Sequence, residues 1–263
     1  MKKILLTNDD GYRSIGFMPL LKELSKNFSV TAVAPSEEQS WIGKSISARR
    51  NLLLKQETLE GTTIHTINGS PADCVQIGVY DVLDKKPDLV VSGINIGENI
   101  GRGRILSSGT VGAAMEASLD GMRALSTSLY IEKTIRKSID FFDPKNYHVY
   151  QNAAEITAKF VNIFIEAELD KDVDLISINI PFEATVDTDF ELATPFRATY
   201  GKLFHKDGDT FTHVGPKLDF TNIEEGTDLK ALSEGKIVVT PISLELAAKS
   251  SFAQIQDLLK NKW

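Results

Sequence analysis

The stretch Lys3 to Gly11 constrains this chain most: a short apolar run, Ile4-Leu5-Leu6, stops abruptly at Thr7-Asn8-Asp9-Asp10-Gly11. A run so short and so near the start reads as a buried strand, and it ends in two adjacent carboxylates. Like charges side by side raise each other's pKa, so a fold tolerates them where solvent, hydrogen bonds or a cation compensates them. At the carboxyl end of a parallel strand, a hard divalent metal is the usual compensator. Taken alone, the stretch is equally compatible with a polar loop turned by Gly11.

The chain of 263 residues is long enough for one sizeable core, or for one core with a smaller attached unit. Hydrophobic residues make up 42% and charged residues 25%, the balance of a soluble globular protein. The net charge of -7 argues against a nucleic-acid polymer as partner, because such binding is driven by basic surface. The single cysteine, Cys74, has no partner for an internal disulfide and fits a reducing cytoplasm. After Met1-Lys2-Lys3 only three apolar residues precede the polar run, fewer than a signal peptide needs. No stretch approaches the ~18 apolar residues of a membrane span. The expectation is therefore a soluble, cytoplasmic protein with no membrane partner.

Apolar residues at helical spacing follow (Leu20, Leu21, Leu24, Phe28), then a strand from Phe28 to Ala34, which is the pattern of a right-handed βαβ unit. The polar loop after Pro35 holds Ser36 to Ser40. Gly43-Lys44-Ser45 does not complete a P-loop, because Glu38 stands where its first glycine belongs. Extended segments are expected over Ile46–Gln56 and Thr62–Ile67. Ser70-Pro71 starts a helix as N-cap and first helical residue. Asp88 to Ser92 reads as a buried parallel strand. The next eleven residues, Gly93 to Gly103, contain four glycines and two asparagines and read as a tight loop whose amides can bind oxygen ligands or donate hydrogen bonds. The dinucleotide fingerprint is absent, since Leu106 occupies the place of its third glycine.

Ser107-Ser108-Gly109-Thr110 opens a helix with Val111, Ala114, Met115 and Leu119 inward and Gly121 as its stop, a start that suits an anion or simple capping by Ser108. A strand over Arg123–Tyr130, a charged surface excursion over Ile131–His148, a long helix over Val149–Leu169 with Ile163 on its inner side, and a strand over Leu175–Ile180 complete the core. Beyond it come extended segments, including Thr199–His205, an Asp207-Gly208 hairpin turn, a short helix over Asp228–Glu234, a strand over Ile237–Thr240 and a terminal helix over Phe252–Trp263. The fold class expected is α/β, a Rossmann-like three-layer parallel sheet with a smaller C-terminal β-rich extension. Residues 1–181 form the catalytic core. Residues 182–263 form a hairpin, strand and helix region that is not an independent domain.

Three loops thus gather at carboxyl ends of parallel strands: Asp9-Asp10, Ser40 and the Asn95 loop. Their oxygen donors suit Mg²⁺, Mn²⁺ or Ca²⁺ rather than zinc. At these residues the sequence resembles the SurE family of stationary-phase survival proteins, metal-dependent 5′-nucleotidases that remove phosphate from nucleoside monophosphates. The matching stretches are LLTNDDG at 5 to 11, VAPSEEQS at 33 to 40, NGSPADCV at 68 to 75, DLVVSGINIGEN at 88 to 99, SGTVGAAMEA at 108 to 117 and TDLKALSEGKIVVTP at 227 to 241. The resemblance implies that Asp9, Asp10, Ser40 and Asn95 bind a divalent metal, Mg²⁺ or Mn²⁺. It implies likewise that Asn8, Asn99, Ser108, Gly109 and Thr110 meet the substrate, with Asp9, Asp10, Asn99 and Thr110 catalytic. It further implies activity on nucleoside 5′-monophosphates, with 3′-monophosphates and short polyphosphate as further substrates. A homo-oligomer, dimer or tetramer, built by the part after residue 181 through exchange of a C-terminal segment, completes the expectation.

The chain departs from the family pattern at Ser107, where a Tyr is common, at Lys44, where a His is common, and at Arg102 and Arg104, where acidic residues are frequent. The two arginines are expected on the solvated surface. The mechanism expected is metal-assisted attack of water, oriented or deprotonated by Asp9 or Asp10. The spacing is equally compatible with a second metal and with Asp9 as nucleophile. Two rival classes lack a residue that their chemistry needs. An aspartyl-phosphate-forming phosphatase needs a second Asp two residues after the first, where Gly11 stands. A receiver-type signalling module needs an Asp where β-strand DLVVS offers Ser92.

Overall fold

The structure is a computed structural model that describes residues 1–132, 135, 143–197, 201–215 and 223–260. Strand β1 (Lys3–Thr7) lies inside its main sheet, between two parallel neighbours. Ile4, Leu5 and Leu6 are each fully buried, and their side chains alternate between two cores, Ile4 and Leu6 on one side of the sheet and Leu5 on the other. A strand covered on both faces must read as a continuous apolar run, which is why three residues sufficed to identify it.

Helix α1 (Phe17–Ser25) returns the chain to β2 (Ser29–Pro35), which pairs parallel to β1. An antiparallel pair follows, β3 (Leu54–Leu59) and β4 (Thr62–Ile67). The extended segment expected from Ile46 thus begins eight residues later. Ser70 caps α2 (Pro71–Ile77) in a reciprocal capping box with Asp73, an arrangement that stabilises a helix start by about 1 kcal/mol. Strand β5 (Leu89–Ile96), helices α3 (Gly101–Ser107) and α4 (Gly109–Leu119), and β6 (Ala124–Tyr130) come next. They lead to α5 (Tyr147–Phe164) and β7 (Leu175–Pro181). Then come β8 (Phe190–Leu192), the hairpin β9 (Phe204–Asp207) and β10 (Thr210–His213), α6 (Asp228–Ser233), β11 (Ile237–Ile242) and α7 (Phe252–Lys260).

Among the described residues the main sheet runs β3-β4-β2-β1-β5-β6-β7-β11-β8. The six strands from β4 to β7 are mutually parallel, whereas β3 runs antiparallel to β4 and β11 antiparallel to β7 and parallel to β8. Helices α1 and α5 pack on the face of Ile4 and Leu6, and α2 and α4 on the face of Leu5. The strand order turns back at β1 and β5, so the crevice of this doubly wound sheet opens at their carboxyl ends.

Several local expectations change. Leu119 and Ile163 are 63% and 55% exposed instead of inward, because each lies in the last turn of its helix, beyond the sheet that would cover it. The stretch from Gly93 is only partly a loop, since β5 continues through Ile96 and α3 begins at Gly101. Half of the charged excursion over 131–148 falls outside the described residues, as do the start of the segment expected from Thr199 and the end of the helix expected to reach Trp263. No helix among the described residues is long and apolar enough to cross a membrane.

Candidate active site

Asp9 stands at the switch point, 4% exposed. Thr110, in the first turn of α4, donates both its hydroxyl and its backbone N–H to the Asp9 carboxylate. The approach is close because residue 109 is glycine: a Cβ there would lie 2.8 Å from Asp9 Cβ and 3.1 Å from the Gln39 carbonyl. Burial nevertheless pushes the Asp9 carboxyl up to about 6, the Thr110 donors opposing it. A buried carboxylate whose charge is under-compensated is a frequent mark of a functional site.

The other loops are bonded to the same pair. Gln39 donates its N–H to the Asp9 carbonyl at 2.7 Å, which fixes the loop carrying Ser40. Ile96 at the end of β5 donates its N–H to Asp10 Oδ2 at 3.0 Å, which places Asn95 beside the acidic pair. Gly11 closes the turn with φ +86°, its Cα so near Glu37 that a Cβ would sit 3.2 Å from that residue's carbonyl carbon.

The polar side chains of these loops spend their hydrogens locally. Asn8 donates Nδ2 to the Gly11 carbonyl at 2.8 Å, Asn95 donates Nδ2 to the Gly97 carbonyl at 2.6 Å, and the Ser40 hydroxyl donates to Glu38 Oε1 at 2.5 Å. Each therefore keeps an oxygen as its remaining acceptor. Asn8 is fully buried, and its Oδ1 has no hydrogen-bond partner. An orphaned buried carbonyl oxygen costs about 1–3 kcal/mol. Two carboxylates, two carboxamide oxygens and a hydroxyl are the donor chemistry of a hard cation. The residues thus fit a divalent metal. No cluster of three His, Cys, Asp or Glu occurs among the described residues, so a metal here draws on neutral oxygens.

Asn99 belongs to a neighbouring group. Its Nδ2 donates to Ser128 Oγ at 2.8 Å and its N–H to Asn179 Oδ1 at 2.8 Å, so it is held by the ends of β6 and β7, two and three strands from β1. Asn95, Ser128 and Asn179 stand in register. One level lower, Thr7, Ser92, Ser126, Ser177 and Thr240 form an in-register row of buried hydroxyl residues. The strand ends thereby present a polar floor beneath α4. Ser108 is the α4 N-cap, its Oγ accepting the Val111 N–H at 3.1 Å. The structure therefore brings Asp9, Asp10, Gln39 with Ser40, Asn95, Gly109 and Thr110 together. Asn99 and Ser108 are set at the edge of that group.

Residues outside the expected set complete the frame. Asp228, fully buried at the start of α6, accepts the N–H of Gly101 at 2.6 Å, of Phe196 at 3.0 Å and of Leu229 at 2.8 Å. Burial holds its carboxyl above the usual range despite these donors. Tyr150 of α5 is fully buried near Asp10, and burial first, with the Asp10 charge adding, pushes its hydroxyl up to about 12. No local motif signals Tyr150. Only the TDLKALSEG stretch hinted at Asp228. Lys44, at the family's His position, pairs with Glu116 of α4, which also accepts from Gln76 at 2.6 Å. Of the two arginines, Arg102 is exposed as expected, but Arg104 forms an ion pair with Glu98 and is only 18% exposed.

These elements define a doubly wound α/β protein whose switch-point crevice is lined by carboxylate, carboxamide and hydroxyl groups. The chain belongs to the SurE family: the family description "Survival protein SurE" matches residues 4–202. It is 35% identical to the 5'-nucleotidase SurE of Methanococcoides burtonii, over 98% of this chain and 99% of the relative. It is also 35% identical to the 5'-nucleotidase SurE of Methanocaldococcus jannaschii, over 94% of each. The crystal structure of the SurE protein from Aquifex aeolicus superposes with a TM-score of 0.79 at 28% identity, covering 98% of this chain and 99% of that one.

Proposed function

We propose that this chain hydrolyses nucleoside 5′-monophosphates by attack of water at phosphorus, with a divalent cation, Mg²⁺ or Mn²⁺, held by Asp9, Asp10, Ser40 and Asn95. The chain is a nucleotide phosphatase of the 5′-nucleotidase type. One observation carries the reading: an acidic pair, Asp9 buried and Asp10 partly so, is bonded at once to the start of α4, to the loop before Ser40 and to the end of β5. Such a cation supplies Lewis-acid polarisation of a phosphoryl oxygen and a lowered pKa for bound water. One carboxylate of the Asp9–Asp10 pair orients the attacking water and takes its proton. Thr110 fixes Asp9 through its two donors, and the α4 start with Ser108 and Gly109 faces the anionic phosphoryl group. Asn99 and Asn8 complete the polar surround, with Asn99 held in place by Ser128 and Asn179. The single buried thiol, Cys74, suits a cytoplasmic setting.

The reading is tested by phosphate release over AMP, GMP, CMP and UMP, with 3′-AMP and tripolyphosphate as further arms, each in Mg²⁺, Mn²⁺ and chelator. Release from the 5′-monophosphates is expected, with a drop of about a hundredfold or more on chelation. Equal release after chelation would sink the metal assignment. Silence on every nucleotide would sink the activity.

We also propose that residues 182–263 join copies of the chain into a dimer or tetramer by exchange of a C-terminal segment. Helix α7 buries no residue, and Phe252, Ile255, Leu258 and Leu259 on it are each at least 50% exposed. Phe211 and Val214 on the hairpin are exposed as well. An apolar stripe left in water favours association. Sedimentation at micromolar concentration is expected to give at least twice the chain mass, and a monomer that persists there would refute the assembly.

A further inference from the structure

The loop after β2 carries a residue for which hydrolysis has no use. Trp41 directly follows Ser40. Its backbone is left-handed, φ +62°, an uncommon conformation for a bulky side chain, and its side chain is 43% exposed. The backbone on either side of it is pinned to the candidate site. Gln39 is bonded to the Asp9 carbonyl at 2.7 Å, and Gly43 donates its N–H at 2.9 Å to the carbonyl of Ser107, the residue before the α4 cap. Lys44 then pairs with Glu116 of α4, and Ser45 accepts the Ser70 hydroxyl at 2.5 Å. Trp41 is therefore two residues from each pin, and its Cα lies within about 7 Å of either, given ~3.5 Å of extended chain per residue. It bridges Asp9 and the helix start, between which the phosphoryl group is placed.

A second segment meets it there. His213 of β10 sets its ring 4.7 Å from the Trp41 ring at 70°, and Phe204 of β9 stands 5.4 Å from His213 at 62°. Phe204 is 49% exposed. Three aromatic rings from loop and hairpin thus gather at the residue that follows Ser40.

We propose that Trp41, supported by His213 and Phe204, is the stacking platform for the nucleobase, and that it makes purine monophosphates better substrates than pyrimidine ones. The proposal rests on the nucleotidase reading and names the substrate class of that same site. Every base offers a π face, and stacking on an aromatic side chain tolerates base identity while rewarding ring area. Hydrogen-bond readout of the base edge is not required.

The test compares kcat/KM for AMP, UMP and ribose 5-phosphate in the wild type, Trp41→Ala and Trp41→Phe. The wild type should prefer AMP to UMP. In Trp41→Ala the ratio of AMP to ribose 5-phosphate should fall roughly 5- to 100-fold, mostly through KM, and Trp41→Phe should restore most of it. A clamp that merely anchors the hairpin would lower every substrate alike and leave the ratio in place, which overturns the platform alone. A wild type that hydrolyses ribose 5-phosphate but no nucleotide overturns the nucleotidase reading and the platform with it. A second readout avoids turnover: in protein with the other tryptophan changed, Trp263→Phe, and Asp9 intact, the non-hydrolysable phosphonate analogue of AMP should quench indole fluorescence and that of ribose 5-phosphate should not. Equal quenching by both, or by neither, counts against stacking.

Discussion

Replacing Asp9 by Asn is expected to lower kcat/KM for nucleoside monophosphates by about 10³-fold while making the chelated protein more stable than the wild type. The two effects share one cause. Asp9 is 4% exposed and its carboxyl is pushed up to about 6 by burial, from the ordinary aspartate value of 3.8. Between those values the folded chain holds a proton that the unfolded chain has lost. Stability contributed by this group is therefore fully present below about pH 4 and is lost as pH rises to about 6. Above that the penalty is constant at about 3 kcal/mol. An amide carries no charge to desolvate but weakens the bonds from Thr110, so the net gain is about 1–3 kcal/mol. For a chain of this size that is a rise in Tm of roughly 3–10 °C. Thermal scans in chelator from pH 4 to pH 8 check it: the wild type should lose stability between pH 4 and 6, and Asp9→Asn should not. Mg²⁺ or Mn²⁺ should then stabilise the wild type and leave the variant nearly unmoved. A variant that melts below the wild type at pH 8 in chelator would show that Asp9 is an ordinary structural carboxylate.

Legibility in the sequence followed the range of the forces involved. β1, with three fully buried residues facing two cores, was readable because burial on both faces leaves no polar position. The Ser70 and Ser108 caps were readable because an N-cap bond spans only three residues. The acidic pair, Ser40 and Asn95 stood out because polar groups follow strands at one sheet edge. The stretch Gly93 to Gly103 was misread because local propensity is a poor guide there. Its last three residues are helical although Gly101 and Gly103 disfavour helix, and what holds Gly101 is a carboxylate 127 residues away. Arg104 looked like surface because its partner, Glu98, is found only when α3 turns the two side chains together. Tyr150 reads as one more apolar member of a helix stripe, and nothing near it in sequence announces Asp10.

That distant carboxylate leads to the second large effect. Replacing Asp228 by Ala is expected to cost about 3–5 kcal/mol, and Asp228→Asn about 1–3 kcal/mol. Asp228 Oδ2 accepts the Gly101 N–H at 2.6 Å, and Oδ1 accepts those of Phe196 and Leu229. Alanine takes the acceptor from all three donors, those of Gly101 and Leu229 buried and that of Phe196 partly so. Asparagine can keep an oxygen at the Oδ1 position but turns an amide NH₂ toward Gly101, so it loses the one bond that reaches the candidate site. Gly101 opens α3, and α3 runs into Ser108 at the start of α4. The ring of Phe196 lies 2.5 Å from where a Cβ would stand on Gly101, so the same carboxylate also seats that ring. Asp228 thereby ties the C-terminal region to the loop carrying Asn99. The expected signature is a fall in Tm of roughly 10 °C for Asp228→Ala and a smaller one for Asp228→Asn. At 25 °C the latter should also show about a tenfold lower kcat with little change in the metal concentration needed for half-maximal rate, because the Asp9–Asp10 pair is not touched. Circular dichroism melts read the first part and metal titrations of initial rate the second. Melts within a degree of the wild type for both variants would remove Asp228 from this role.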